Sequence, residues 1–206
     1  MARIFKEMGA DLVIAGGQTM NPSTDDIIHA IESLRQKTVY VLPNNKNIIL
    51  AANQAQEMME DKQVVVVPTR TMPQGLTALI TYDESADVET NLQNMQEAYS
   101  VTKTCEVTFA VRTTKIQGHK IKKGDIMGLD DEGIKASGSD AKEVVIKLLD
   151  NAIDEDSAVI TIFYGEDVTA EDAEELADAV RERFDEVDVD LQSGGQPVYY
   201  YIVAID

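Results

Sequence analysis

Cysteine is nearly absent: Cys105 stands alone among 206 residues, which excludes an internal disulfide and fits a reducing compartment. Histidine is almost as scarce. With only His29 and His119, no Cys/His spacing for a zinc site can be written. The sequence also lacks any run of the ~20 apolar residues that a bilayer span requires, and it does not open on a charged-then-apolar leader. Stable membrane insertion and secretion are therefore not expected, and a cytoplasmic location is. Net positive charge is missing too: 18 Lys and Arg stand against 37 Asp and Glu, a formal charge of −19. Nucleic acid and anionic membrane surfaces repel such a field, so neither is an expected partner.

What is present reads as a folded α/β protein. Hydrophobic residues make up 44% and charged residues 27%, an ordinary globular balance. The chain up to about residue 84 repeats one grammar: a short apolar run, a polar loop, then a helical pattern. Asp11 to Ala15 precedes Gly16-Gly17-Gln18-Thr19-Met20-Asn21-Pro22-Ser23 and a helix carrying Ile27, Ile28, Ile31 and Leu34. Val39 to Leu42 precedes Pro43-Asn44-Asn45-Lys46-Asn47 and a helix through Ile48, Leu50, Ala51, Ala55 and Met58. Val64 to Val67 precedes Pro68-Thr69-Arg70-Thr71-Met72-Pro73-Gln74-Gly75 and a helix from Leu76 to Ile80. Continuous apolar runs alternating with helices predict a parallel sheet, which places all three polar loops at one edge.

Residues 85–103 return to helical spacing, with Val88, Leu92, Met95 and Tyr99 in a stripe, and are expected to bridge to a second lobe over 104–206. There the period falls to two: Cys105, Val107, Phe109 and Val111 alternate with Glu106, Thr108, Ala110 and Arg112, predicting a strand. Lys120 to Ala136, with Gly124, Gly128 and Gly133, predicts a hairpin or meander with bulges. A helix through Val144, Val145, Leu148 and Leu149, a strand over Val159 to Tyr164, a helix opened by Thr169-Ala170-Glu171-Asp172, and strands over Val187 to Leu191 and Val198 to Ile205 complete a mixed, largely antiparallel lobe. Charge divides at the same boundary. Residues 1–83 hold 7 basic and 9 acidic side chains, leaving 11 and 28 for the remainder.

Catalytic chemistry is hard to assemble. Gly16-Gly17 fits neither the dinucleotide fingerprint nor the P-loop spacing. Cys105 sits on an apolar strand face and reads as an inert thiol, neither histidine has a local triad, and Asp130-Asp131-Glu132-Gly133 lacks calcium-loop spacing. No catalytic residue and no metal ligand is assigned. The loop glycines and amides serve equally well as turn and cap residues. Their convergence favours recognition, since three adjacent loops make one polar rim.

The quoted loops, together with Gly194-Gly195-Gln196-Pro197-Val198-Tyr199-Tyr200-Tyr201, resemble the C-terminal region of the ATP-binding subunit of bacterial fatty acid kinase, a YloV-like, dihydroxyacetone-kinase-related family. That region is similar in architecture to DegV-like proteins, which present fatty acids to the kinase. DegV-like proteins carry a Thr-Ser-x-Pro-Ser loop, a serine-rich loop and an Asp-Ser loop; Gln18 to Ser23, Leu42 to Asn45 and Pro68 to Thr71 fall at corresponding places. Serines there are largely replaced by Asn and Pro, and the late histidine-bearing segment by Gly194 to Pro197. The resemblance implies a two-lobed DegV-like fold: a parallel three-layer α/β/α lobe, then a mixed lobe. It implies a non-catalytic module that docks a fatty-acid-carrying DegV-like protein, with self-association as a further expectation. The residues implied in partner or ligand binding are Gln18, Thr19, Asn21, Ser23, Asn44, Asn45, Asn47, Thr69, Thr71 and Gln196. The alternative is a lipid or small-molecule carrier with its ligand between the lobes. ATP and magnesium belong, on this resemblance, to an N-terminal kinase domain that this stretch does not contain, so the chain is expected to hold no cofactor and to resemble a piece of a longer protein.

Overall fold

The computed structural model describes residues 1–14, 21–116 and 119–206, and the chain divides into two compact units, Ala2–Thr102 and Lys103–Asp206 together with Met1. The architecture is mixed α/β throughout.

The first unit contains α1 (Ala2–Glu7), α2 (Thr24–Ser33), β1 (Thr38–Val41), α3 (Ile49–Met58), β2 (Gln63–Val66), α4 (Met72–Thr81) and α5 (Val88–Ser100). β1 and β2 are parallel with Val39 opposite Val64, as a helical crossover requires. Ile27 and Ile31 of α2, Ala52 and Ala55 of α3, and Val39 and Val64 of the strands form its main core. α5 packs against α4, and Met95 joins Val67 and Ala78 in a second cluster. The end of α2 is closed by Lys62, whose Nζ donates to the carbonyls of Ile31 at 2.8 Å and of Leu34, satisfying acceptors that a helix terminus leaves open.

Two details differ from the sequence reading. Residues 11–14 form no strand: Leu12 is 44% exposed, Asp11 accepts from the Gln36 amide at 3.2 Å, and Ile14 alone of the stretch packs on the core. Ala15 lies outside the described residues. Apolar character without a ladder partner makes packed coil as readily as strand. In α3 the buried face belongs to Ala52 and Ala55, while Leu50 and Met58 face solvent.

The second unit contains β3 (Lys103–Phe109), β4 (Thr114–Ile116), β5 (His119–Ile121), β6 (Ile126–Asp130), β7 (Gly133–Gly138), α6 (Ala141–Ala152), β8 (Val159–Tyr164), α7 (Ala170–Arg183), β9 (Asp188–Ser193) and β10 (Tyr199–Ile205). Six strands form one sheet in the order β7-β6-β3-β10-β8-β9, and β4 and β5 pair separately. Only β8 and β9 run parallel, joined by α7; the other neighbours are antiparallel. Both helices close on the same core, where Val144, Leu148, Leu176 and Val180 meet Val107, Ile162 and Val203. Asp140 and Thr169 cap α6 and α7, accepting from the backbones of Glu143 and Asp172. The bulge between Gly128 and Leu129 fits the glycine-punctuated meander.

Cys105 is 1% exposed within this core. Burial pushes its thiol up to about 12, and the carboxylates of Asp130, Glu106 and Asp131 add to the shift. The thiolate is the reactive form, so the native protein is expected to resist an aromatic disulfide reagent at neutral pH and to react fully once denatured. Labelling of the native state at the rate of a free thiol would contradict this placement.

A polar rim built on the parallel strands

Because β1 and β2 are parallel, the loops leaving them lie at one edge. Val67 extends the pairing by donating to the Val41 carbonyl at 3.0 Å, and beyond it Thr69 becomes the hub of the rim. Thr69 is fully buried. Its Oγ1 accepts from the Asn44 backbone N–H at 3.1 Å and donates to Asn44 Oδ1 at 2.8 Å. Asn44 holds φ 55°, a left-handed conformation that asparagine tolerates better than most residues. Its side chain lies against α4, where Gly75 leaves room: a Cβ on Gly75 would stand 1.9 Å from Asn44 Oδ1. Two loops and a helix are thus latched by one hydroxyl and one missing methyl.

The start of α4 is built by its own residues. Thr71 accepts from the Gln74 backbone N–H at 3.3 Å, Pro73 occupies the first turn, where its missing N–H costs nothing, and Gln74 Oε1 accepts from the Arg70 N–H at 2.9 Å. Thr71 and Gln74 are both buried. Asn45 Oδ1 takes the Asn47 N–H at 2.9 Å, an Asx turn that shapes the loop before α3. Lys46, Asn47 and Arg70 face solvent. Arg70 also reaches the field of Tyr99, opposing the upward push that burial gives that phenol.

The other expected site residues are placed differently. Ser23 is the N-cap of α2 in a reciprocal capping box with Asp26: its Oγ accepts from the Asp26 N–H at 3.2 Å and its N–H donates to Asp26 Oδ2 at 2.9 Å. These bonds hold the Asp26 carboxyl below its ordinary range. Asn21 is exposed just before it. Gln18 and Thr19 lie outside the described residues. Gln196 belongs to the second unit, where it is 2% exposed and donates from Nε2 to the Phe163 carbonyl at 3.0 Å. Its Oε1 has no hydrogen-bond partner, and nearby Val198 holds φ 74°, a strained value for a β-branched residue. Gln74 was not among the expected residues, although the Thr71-x-x-Gln74 spacing is an N-terminal capping pattern. Among the described residues no three His, Cys, Asp or Glu side chains gather as a metal site.

Residues 1–206 match the FakA-like C-terminal family, the C-terminal region of fatty acid kinase proteins of the A-like type. The chain belongs to this family. Protein YloV of Bacillus subtilis is 45% identical over 206 residues, covering 100% of the chain and 37% of that relative. The chain therefore corresponds to a C-terminal part of a longer protein. Among solved structures, a DegV family protein from Corynebacterium glutamicum aligns with a TM-score of 0.61 at 15% identity, covering 90% of this chain and 83% of that one. The Streptococcus pneumoniae fatty acid kinase B3 protein, loaded with linoleic acid, aligns with a TM-score of 0.57 at 14% identity, covering 90% and 76%. At these identities the likeness is one of fold. Within this fatty acid kinase family domain, the DegV-like fold carries a rim whose amides and hydroxyls are bonded to one another.

Proposed function

We infer that this chain docks the fatty-acid-carrying DegV-like protein and positions it for acyl phosphate formation by the ATP-binding part of the longer family protein. The observation that supports this reading is the state of the rim. Thr69 is engaged by Asn44, Thr71 receives the Gln74 N–H, and Gln74 receives the Arg70 N–H. A carboxylate ligand would have to break these bonds. An opposing protein surface instead needs a fixed frame with outward donors, which Lys46, Asn47 and Arg70 provide. Phosphoryl transfer depends largely on positioning, so a docking module acts on rate without touching the reacting atoms. On this reading ATP and magnesium act outside the chain, and self-association adds a second docking surface in the assembled protein.

Calorimetric titration of the chain with the fatty-acid-loaded DegV-like protein tests the proposal. Saturable binding is expected, and Lys46→Glu with Arg70→Glu should weaken it about tenfold. No binding, together with undiminished acyl phosphate formation by a family protein deleted of this region, would overturn the reading. Fatty acid retained by the isolated chain in native mass spectrometry would favour a carrier instead.

A further inference from the structure

The second unit sorts its charges. Residues 103–206 hold 24 acidic and 11 basic side chains, and every lysine and arginine outside one hairpin is ion-paired. Lys103 meets Asp154, Lys135 meets Asp130 and Glu132, Lys142 meets Asp172 and Glu175, and Lys147 meets Glu143. Arg181 meets Glu174 and Asp178, and Arg183 meets Asp150. The exception is the β4–β5 hairpin and its stem. There Arg112, Lys115, Lys122 and Lys123 are exposed, and no ion pair to any of them is found among the described residues.

This is a built arrangement rather than a loose basic tail. The stem is pinned by the Ala110 N–H donating to the Asp125 carbonyl at 2.9 Å and the Gly124 N–H to the Ala110 carbonyl at 2.8 Å. Lys123 donates its backbone N–H to Thr113 Oγ1 at 3.1 Å. Ile121 is fully buried in a cluster with Ala110 and Ile134. Asp125 is the one acidic residue between Val107 and Leu129, and its carboxylate accepts the Lys122 backbone N–H at 2.7 Å. Register sets Lys115 opposite Lys120, and like charges at opposed ladder positions destabilise a hairpin. A unit with so many spare carboxylates holds these cations away from them, at a cost in local stability.

We propose that the β4–β5 hairpin is a docking surface for a carboxylate-rich segment of a partner protein. Charge complementarity selects the class of partner, and dimensions narrow it. Strands of three residues span about 10 Å, and the screening length at physiological ionic strength is about 8 Å. A narrow acidic segment therefore lies within reach of the hairpin cations alone. A nucleic acid or an anionic bilayer is wide enough to meet the acid-dominated remainder of the unit as well. The hairpin's role is independent of the rim and of the docking reading above.

The test uses the full chain and a fluorescent decaglutamate peptide as probe, at low and at physiological ionic strength. Saturable binding is expected at low ionic strength, weaker at the higher one. The variant Lys115→Glu/Lys122→Glu/Lys123→Glu should lose at least about tenfold in affinity, and the charge-neutral Lys→Gln triple should fall between. Lys147→Glu, on α6, should bind nearly as the parent. All these sites are exposed, and circular dichroism verifies the fold. No saturable binding of decaglutamate at low ionic strength, or binding indifferent to the triple variants, overturns the proposal. So does hairpin-dependent binding of RNA or of phosphatidylglycerol vesicles in preference to decaglutamate, and so does hairpin-dependent self-association in sedimentation without the probe.

Discussion

Replacing Gly165 with alanine should destabilise the second unit by about 3 kcal/mol, with a fall in its melting temperature on the order of 10 °C. Gly165 follows β8 and is buried. Its N–H donates to the Tyr200 carbonyl at 2.8 Å, and the next residue, Glu166, donates to the Gln196 carbonyl at 3.1 Å. The close approach that makes these bonds leaves no room for a side chain. A Cβ at Gly165 would stand 2.1 Å from the Tyr199 carbonyl oxygen and 2.8 Å from that of Gln196. Both obstacles are backbone atoms, so no rotamer change relieves them. Either the end of β8 or the turn into β10 must move, and β10 is central in the sheet, bonded to β3 and β8. Gly195 is the internal control. It has φ 56° but no atom within 4 Å of a built Cβ, so Gly195→Ala should cost only the left-handed backbone strain, about 1 kcal/mol. Thermal and urea unfolding of the two variants measures the difference. Equal effects would mean that the Gly165 contact yields without cost.

Legibility in the sequence followed the physics of each element. α6 and α7 were readable because Val144, Val145, Leu148 and Leu149, and Leu176 and Val180, recur at helical spacing behind the capping residues Asp140 and Thr169. β8 and β10 were readable as long apolar or β-branched runs. Asp11 to Ile14 misled because four residues are too few to show a period, and pairing, not composition, makes a strand. Leu50 and Met58 misled because small Ala52 and Ala55 occupy the packed face of α3, leaving the larger side chains outside. At the rim, the loops after β1 and β2 were legible as polar turns. What joins them was not. The bond between Asn44 and Thr69, and the fit of Asn44 over Gly75, depend on loop dihedrals such as φ 55° at Asn44, which no local spacing encodes. The ion-pair sorting around the β4–β5 hairpin was equally hidden, since most of its pairs join residues distant in sequence.

Thr69→Val is expected to cost about 2 to 3 kcal/mol in the first unit, although it keeps the shape of the side chain almost unchanged. The reason lies in what it leaves behind. Without the hydroxyl, the Asn44 N–H and Oδ1 both lose the partner they have at 3.1 and 2.8 Å, at a site where Thr69 itself is 0% exposed. A buried polar group deprived of its bond carries a desolvation penalty larger than the net worth of that bond. Thr69→Ser, which retains the hydroxyl and loses only a methyl group, should cost about 1 kcal/mol. Asn44→Gly removes the acceptor while relieving the left-handed strain, so its effect should be smaller than that of Thr69→Val. The double variant Thr69→Val/Asn44→Gly should then be more stable than the sum of the two singles implies, by about 1 kcal/mol, because truncating Asn44 takes away the side-chain acceptor that the valine would otherwise orphan. Urea unfolding of the four proteins closes the cycle. Strict additivity would show that Thr69 and Asn44 are independent and that the latch between the two loops does not hold the rim. If coupling is found, the same Thr69→Val protein should also bind the fatty-acid-loaded DegV-like protein more weakly, since its exposed donors Lys46, Asn47 and Arg70 would remain while the frame that aims them is loosened.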